Sequence, residues 1–316
     1  MAPEHPRPLD ARILPRFSGV RTFARLPHAG GLDGVDVAVV GLPFDTATTF
    51  RPGARFGPEA IRSASSLLRP YHPVWDVDVI EALAIVDRGD APVSPGDTVG
   101  TYRQVEDELT QIVNAGVFPL CLGGDHSVTL AELRVLAGRH GPLAVLQFDS
   151  HTDTWDEYFG QKYFHGTTFL RAVEEGVIDA SSSIQAGMRG TVYGPNDLQE
   201  ARGLGFTVLP AEELRSLGPE RFGDLARERV GERPVFVSFD VDFLDPAFAP
   251  GTGTPEIGGF STAEALAFLR ALRGVRLAGA DVVEVAPAYD GPGQQTALAA
   301  ANVAWELLAL YAVSRR

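Results

Sequence analysis

The chain has 316 residues, 45% of them apolar and 22% charged, and a net charge of −14. That is enough chain to bury a full globular core, and the acidic balance excludes nucleic acid as a partner, because phosphate binding needs a basic face. Its single cysteine, Cys121, excludes an internal disulfide and fits a reducing, cytoplasmic compartment.

No linker, charge block or composition break divides the chain, so one domain is expected over residues 1–316. Residues 1–30 are rich in proline and lack a clear period; they read as an arm lying on the surface or on a neighbouring subunit. No basic start followed by an apolar run marks a secretory signal. Short apolar runs then alternate with amphipathic segments. Strands are predicted over Val35–Gly41, Leu83–Val86, Val117–Leu122, Leu143–Phe148, Ser183–Gly187, Phe206–Leu209, Val235–Phe239 and Gly279–Val283. They are short and mostly not alternating, as expected of strands covered on both faces. Helices are predicted over Pro58–Leu68, Thr98–Ala115, Thr129–His140, Thr167–Glu175, Glu220–Val230, Thr262–Arg273 and Gln295–Val313, with Ser127 and Ser261 as N-caps and Pro58 at a first helical position. The apolar stretch Ala297–Val313 is interrupted by Asn302 and Glu306 and is too short for a bilayer, so it reads as a core helix and no membrane partner is expected. The alternation implies an α/β fold in three layers, α/β/α, around a mostly parallel central sheet.

In such a sheet, function collects just beyond the carboxyl ends of the strands. Gly123-Gly124-Asp125-His126-Ser127 follows the strand that contains Cys121, itself read as a buried, inert thiol. Asp149-Ser150-His151-Thr152-Asp153 follows Leu143–Phe148, Asp240-Val241-Asp242 follows Val235–Phe239, and Glu284 follows the last strand. Any one aspartate after a strand commonly caps the next helix, and a lone histidine there is commonly a core residue. The combination of motifs, each at its own strand end, points elsewhere.

In extended backbone, residues two apart point the same way. Asp149, His151 and Asp153 therefore converge, as do Asp240 and Asp242, and His126 joins them from a third strand. So many carboxylates repel one another unless neutralised. Two divalent cations with bridging carboxylates resolve that conflict, and the Gly123-Gly124 pair lets backbone pass close by. Oxygen donors mixed with imidazole and no thiolate favour two Mn²⁺ ions, with other divalent metals as substitutes. Such a pair activates water, so hydrolysis is the implied reaction. A dinucleotide is not expected: Gly41-Leu42-Pro43-Phe44-Asp45 after the first strand is no G-x-G-x-x-G, and Gly251-x-Gly253 opens no helix.

Taken in order, Gly-Gly-Asp-His-Ser at 123–127, Asp-Ser-His-Thr-Asp at 149–153 and Ser-Phe-Asp-Val-Asp-Phe-Leu-Asp-Pro at 238–246 resemble the ureohydrolases, the arginase–agmatinase superfamily. The resemblance covers nearly the whole chain. Arg51-Pro52-Gly53-Ala54-Arg55-Phe56-Gly57-Pro58 and Pro250-Gly251-Thr252-Gly253-Thr254-Pro255-Glu256 are similar to its agmatinase-type branch. The resemblance implies one metal on His126, Asp149, Asp153 and Asp240, and another on Asp149, His151, Asp240 and Asp242. It implies His165 as a proton shuttle, Glu284 as the carboxylate that pairs with a guanidinium, and a homo-oligomer, trimeric or hexameric. The chemistry agrees: splitting a guanidinium needs activated water, a carboxylate to orient the planar cation and an acid for the leaving amine. The expected partner is a small cationic guanidino substrate, first agmatine, yielding putrescine and urea.

One segment departs from the arginase pattern. Thr154–Phe164 lacks the asparagine-rich stretch with which arginases grip an amino-acid headgroup, which weakens arginine as substrate. Asp156 or Glu157 is a candidate to meet a distal amine unless both are merely solvated. 4-Guanidinobutanoate is the alternative substrate. A deacetylase-like amidohydrolase and a catalytically silent metal-bound regulator rank below, since the former keep a single catalytic metal, the latter usually lose ligands, and here no ligand is missing. His5, His28, His72 and His140 receive no role.

Overall fold

The computed structural model describes residues 7–315. Its elements, in chain order, are β1 (Val37–Leu42), α1 (Gly57–Ser65), β2 (Tyr71–His72), β3 (Val77–Asp78), α2 (Val79–Ala82), β4 (Ile85–Asp90), α3 (Thr98–Asn114) and β5 (Phe118–Gly123). There follow α4 (Thr129–His140), β6 (Ala144–Phe148), α5 (Thr168–Glu174), β7 (Ile184–Met188), α6 (Asp197–Gly203), β8 (Thr207–Pro210) and α7 (Ala211–Val230). The last four are β9 (Val235–Asp240), α8 (Thr262–Ala271), β10 (Leu277–Val283) and α9 (Gln295–Ser314).

Eight strands form one sheet in the order β4-β1-β5-β10-β9-β6-β7-β8. Every ladder in it is parallel. Successive residues of a strand enter opposite cores, which is why the central strands read as unbroken apolar runs. Val37 and Val39 belong to the core that α1, α7, α8 and α9 cover, whereas Ala38 and Val40 belong to the one that α3, α4, α5 and α6 cover. The three-layer expectation therefore describes the chain.

Each predicted strand has a counterpart, with ends displaced by at most two residues except at β4, which runs four residues past the predicted Val86 to Asp90. Ser261 caps α8 as expected: its hydroxyl accepts from Glu264 N–H and the Glu264 carboxylate accepts from Ser261 N–H. Ser127 does not cap α4. Asp125 accepts the Ser127 N–H at 3.0 Å instead, and Ser127 lies inside the short turn His126–Val128 that leads into the helix. Pro58 takes the second helical position, behind Gly57. Helix α7 begins nine residues before the predicted Glu220, continuing across a kink at Gly218, whose φ of 74° accommodates the break before Pro219.

Helix α9 is buried along most of its length, in keeping with a core helix. The described part of the arm, residues 7–30, lies on the chain's own helices: Phe23 is buried near Trp305 of α9, and its N–H donates to Asp87 Oδ2 at 2.6 Å. His5 and the rest of residues 1–6 lie outside the described residues.

Candidate metal centre and active site

Strands β5, β10, β9 and β6 are consecutive neighbours in the middle of the sheet, and their carboxyl ends open on one place. The loop after β5 reaches it only because it is built of glycines. A Cβ on Gly124 would lie 1.8 Å from the Phe44 carbonyl oxygen, and one on Gly123 would lie 2.5 Å from Val283 Cγ1. Asp125 then accepts from Ala47 N–H at 2.9 Å as well as from Ser127, so it fixes the loop and leaves His126 facing inward.

His126 Nδ1 lies 2.9 Å from Asp153 Oδ2, 3.1 Å from Asp149 Oδ2 and 3.4 Å from Asp240 Oδ2. None of the three meets it at hydrogen-bonding geometry, and the nitrogen is buried. Its other nitrogen, Nε2, is 2.8 Å from the Ser238 hydroxyl, which in turn donates to Asp281 Oδ1 at 2.7 Å. That order assigns the proton to Nε2 and leaves the Nδ1 lone pair facing three carboxylates. Lone pair against carboxylate is repulsive unless a cation stands between them.

A second group adjoins the first. His151 Nδ1 is 3.0 Å from Asp242 Oδ2 and 3.7 Å from Asp149 Oδ1. Asp149 therefore turns one oxygen to each histidine. The ligand atoms within His126–Asp149–Asp153, and within Asp149–His151–Asp242, all lie within 4.8 Å of one another. Asp240 joins the first group through Oδ2, while its Oδ1 accepts from Asp242 N–H at 2.8 Å.

Without a cation the electrostatics are conflicted. Burial, then the Asp242 and Asp153 carboxylates, push Asp149 up to about 7. Burial and the same crowding hold Asp240 well above the usual carboxylate range. Burial opposes charge on His126 and His151, yet the carboxylates win and raise both, His151 to about 10. Divalent cations in that place would relieve the conflict, and the donor set suits such ions.

Beside this cluster, His165 Nδ1 is 2.9 Å from Glu284 Oε1, and the same oxygen accepts from His126 N–H at 2.9 Å. Thr49 N–H donates to His165 Nε2 at 3.1 Å, which places the His165 proton on Nδ1. Burial opposes charge on His165, but Glu284 and Asp153 raise its pKa above the ordinary value. Among the described residues, Glu284 Oε2 is buried without a partner. Asp153 and Glu284 also adopt left-handed backbone, with φ of 50° and 65°. Non-glycine residues held there gather at functional sites.

A pocket of about 630 Å³ opens over the cluster; His151, Asp153, His165 and Asp240 line its floor, and Arg51, Trp155, Tyr158, Tyr193 and Glu256 its walls. Asp156 and Glu157 line no part of it. Asp156 pairs instead with the buried Arg171 at 2.7 Å, and the acid on the wall is Glu256. Sequence reasoning missed Glu256, Thr49, Arg51, Ser238 and Asp281 as parts of the site. Ser238 had a signal: it precedes Asp240 by two and so shares its face of β9. The wall residues come from loops whose tips no local pattern locates.

The family model that matches, described as the arginase family, covers residues 35–310. Guanidinopropionase of Pseudomonas aeruginosa is 49% identical over 99% of this chain and 98% of that protein. Agmatinase of Chromobacterium violaceum is 42% identical over 93% of this chain and 89% of its own length. The solved structure of proclavaminate amidino hydrolase from Streptomyces clavuligerus superposes with a TM-score of 0.91 at 43% identity, covering 95% of this chain and all of that one.

Proposed function

Because the chain belongs to the arginase family, we propose that it is a metal-dependent hydrolase that splits a guanidino compound into urea and an amine, agmatine being the first substrate to test and 4-guanidinobutanoate the second. One observation carries the reading: Asp149 faces two histidine–carboxylate groups at once, directly beside the His165–Glu284 pair. His126, Asp149, Asp153 and Asp240 would hold one divalent ion, and Asp149, His151, Asp240 and Asp242 the other. The mixed oxygen and imidazole donors favour Mn²⁺. When bound, such ions acidify water and offset the charge of the aspartates.

The chain's own groups do the rest. Glu284 Oε2, unpartnered and buried, accepts from the N–H edge of a guanidinium. His165 carries its proton on Nδ1, next to Glu284, where the leaving amine of a substrate gripped by Glu284 comes to lie. Thr49 holds that tautomer. Water adds to the guanidinium carbon, the C–N bond to the alkyl-bearing nitrogen breaks, and that nitrogen leaves as the amine with a proton that His165 relays from the added water, whose oxygen stays in urea.

We also read the protein as a cytoplasmic homo-oligomer, trimeric or hexameric. Exposed Ile13, Phe17 and Val20 on the arm support contact between copies. Urea release from agmatine, 4-guanidinobutanoate, 3-guanidinopropanoate and arginine, with Mn²⁺ restored, tests the activity. No urea from any of them removes it.

A further inference from the structure

We propose that the arm carries a second binding site, built on Arg25, that takes a small phosphate-bearing anion on the side of the sheet away from the metal centre. The site goes beyond the hydrolase reading and does not depend on it.

A cavity of about 460 Å³ lies between the arm, the turn after α1 and helices α2 and α9. It shares no lining residue with the pocket over the metal cluster. A helix between two parallel strands runs back along the sheet, so the end of α1 stands near the amino ends of the strands. The metal cluster stands at their carboxyl ends.

Arg25 borders this cavity and is only 6% exposed. Among the described residues, its Nε, Nη1 and Nη2 are all buried without a hydrogen-bond partner. The Nε of Arg16, on the same cavity, is in the same state. A guanidinium cannot shed its proton to escape burial, so four such donors call for an anion to meet them.

The neighbouring acids do not supply it. Three of them border the cavity, and each is engaged. Glu81 pairs with Arg7 and Asp10 with Arg12, both at 2.8 Å, while Asp78 Oδ1 accepts from the N–H groups of Ile80 and Glu81. Arg16, Arg25 and Arg69 are left around the cavity without a carboxylate among the described residues. In a chain of net charge −14, that concentration of positive charge draws an anion to one place.

Guanidinium forks match the oxygens of a phosphate, and three of them can engage it from different sides, which a two-oxygen carboxylate uses less fully. The cavity is larger than one phosphate ion needs, and Leu9 and Trp305 give it an apolar side. A phosphate monoester with a small apolar body therefore fits as well as the free ion.

The turn that presents Arg25 is fixed in advance. Ala24 and Arg25 both take left-handed backbone, with φ of 49° and 60°. Ala24 N–H donates to Ser65 Oγ at 2.7 Å, and the Arg25 carbonyl accepts from Leu9 N–H at 3.2 Å. Ordering of the donors thus precedes binding. An anion held by Arg16, Arg25 and Arg69 then ties the arm to the body of the chain.

The test is calorimetric titration and thermal melting of the Mn²⁺-loaded protein with inorganic phosphate and with phenyl phosphate, ionic strength being held constant with chloride. Wild type, Arg25→Met and Arg69→Ala are compared. Wild type should melt about 3 °C higher or more at saturating phosphate. Arg69 is exposed, so Arg69→Ala keeps the fold and should weaken binding at least about tenfold. Arg25→Met should remove the shift and, freed of an unmatched buried charge, melt no lower than wild type in chloride alone. The probe that binds more tightly tells a free ion from an ester. Absence of binding by both probes, as when a carboxylate of a second copy already meets Arg25, overturns the site. So does a shift of equal size in all three proteins, which would put the phosphate on the metal ions instead. Should Arg25→Met not fold, undiminished binding by Arg69→Ala is by itself enough to overturn it.

Discussion

His165 and Glu284, 119 residues apart in sequence, meet at 2.9 Å through Nδ1 and Oε1. Each has a distinct task in the account, so their variants should fail differently. His165→Asn should lower kcat by about 10²–10⁴-fold, the range for loss of a positioned proton donor, with metal content unchanged. Glu284→Gln keeps the shape but not the charge, and should raise KM as well as lower kcat. Steady-state kinetics alongside metal analysis separates the two; equal loss of metal in both variants would show a structural role instead.

Asp149 offers one oxygen to each metal group. Asp149→Asn should therefore deplete both metals and abolish activity, where Asp153→Asn should affect chiefly the group that contains His126. Elemental analysis of the purified variants reads this directly. Near-normal turnover by Asp149→Asn contradicts the ligand assignment.

Asp281 touches no predicted ligand, yet through Ser238 it fixes which nitrogen of His126 faces the carboxylates. Asp281→Asn or Ser238→Ala should weaken metal binding by about 10–100-fold, the usual effect of losing a group that orients a metal-binding histidine. Competition with a metal-sensitive dye measures it, and unchanged affinity in both variants would remove the relay.

Chelation should destabilise the protein as well as inactivate it, because buried carboxylates then face one another without compensation. Melting temperature should fall on treatment with a chelator and recover with Mn²⁺ by differential scanning calorimetry. A melting temperature indifferent to metal would count against buried cations in this cluster.

Away from the site, Glu306 of α9 is buried and gathers Arg270 of α8 at 2.9 Å, Trp75 at 2.5 Å and His72 at 3.1 Å. Glu306→Ala leaves these donors unmatched and should cost about 2–4 kcal/mol in urea unfolding. A change within error would mean that the solvent-facing part of Arg270 already finds water instead.

Much of this was legible in the sequence for a physical reason. Parallel strands buried on both faces must be short apolar runs, and the acids that follow them announce themselves by spacing, as Asp149, His151 and Asp153 do. Helix α6 escaped because Asp197–Gly203 buries little beyond Ala201 and so carries no apolar period. The first half of α7 escaped because Gly218 and Pro219, normally breakers, sit at a kink that the helix survives. The left-handed backbone of Glu284 had no residue-type signal, and aspartate's mild tolerance of that region is too weak to single out Asp153. Arg51, Glu256 and Thr49 stand on loops, where chain direction depends on distant packing, and their place on the pocket wall follows from the fold alone.

The most direct measurement is urea release from a guanidino panel as a function of Mn²⁺ bound per chain. The account predicts no activity after chelation and a rise to full activity as two equivalents are restored. Urea release that survives chelation, or none at any loading, would contradict it.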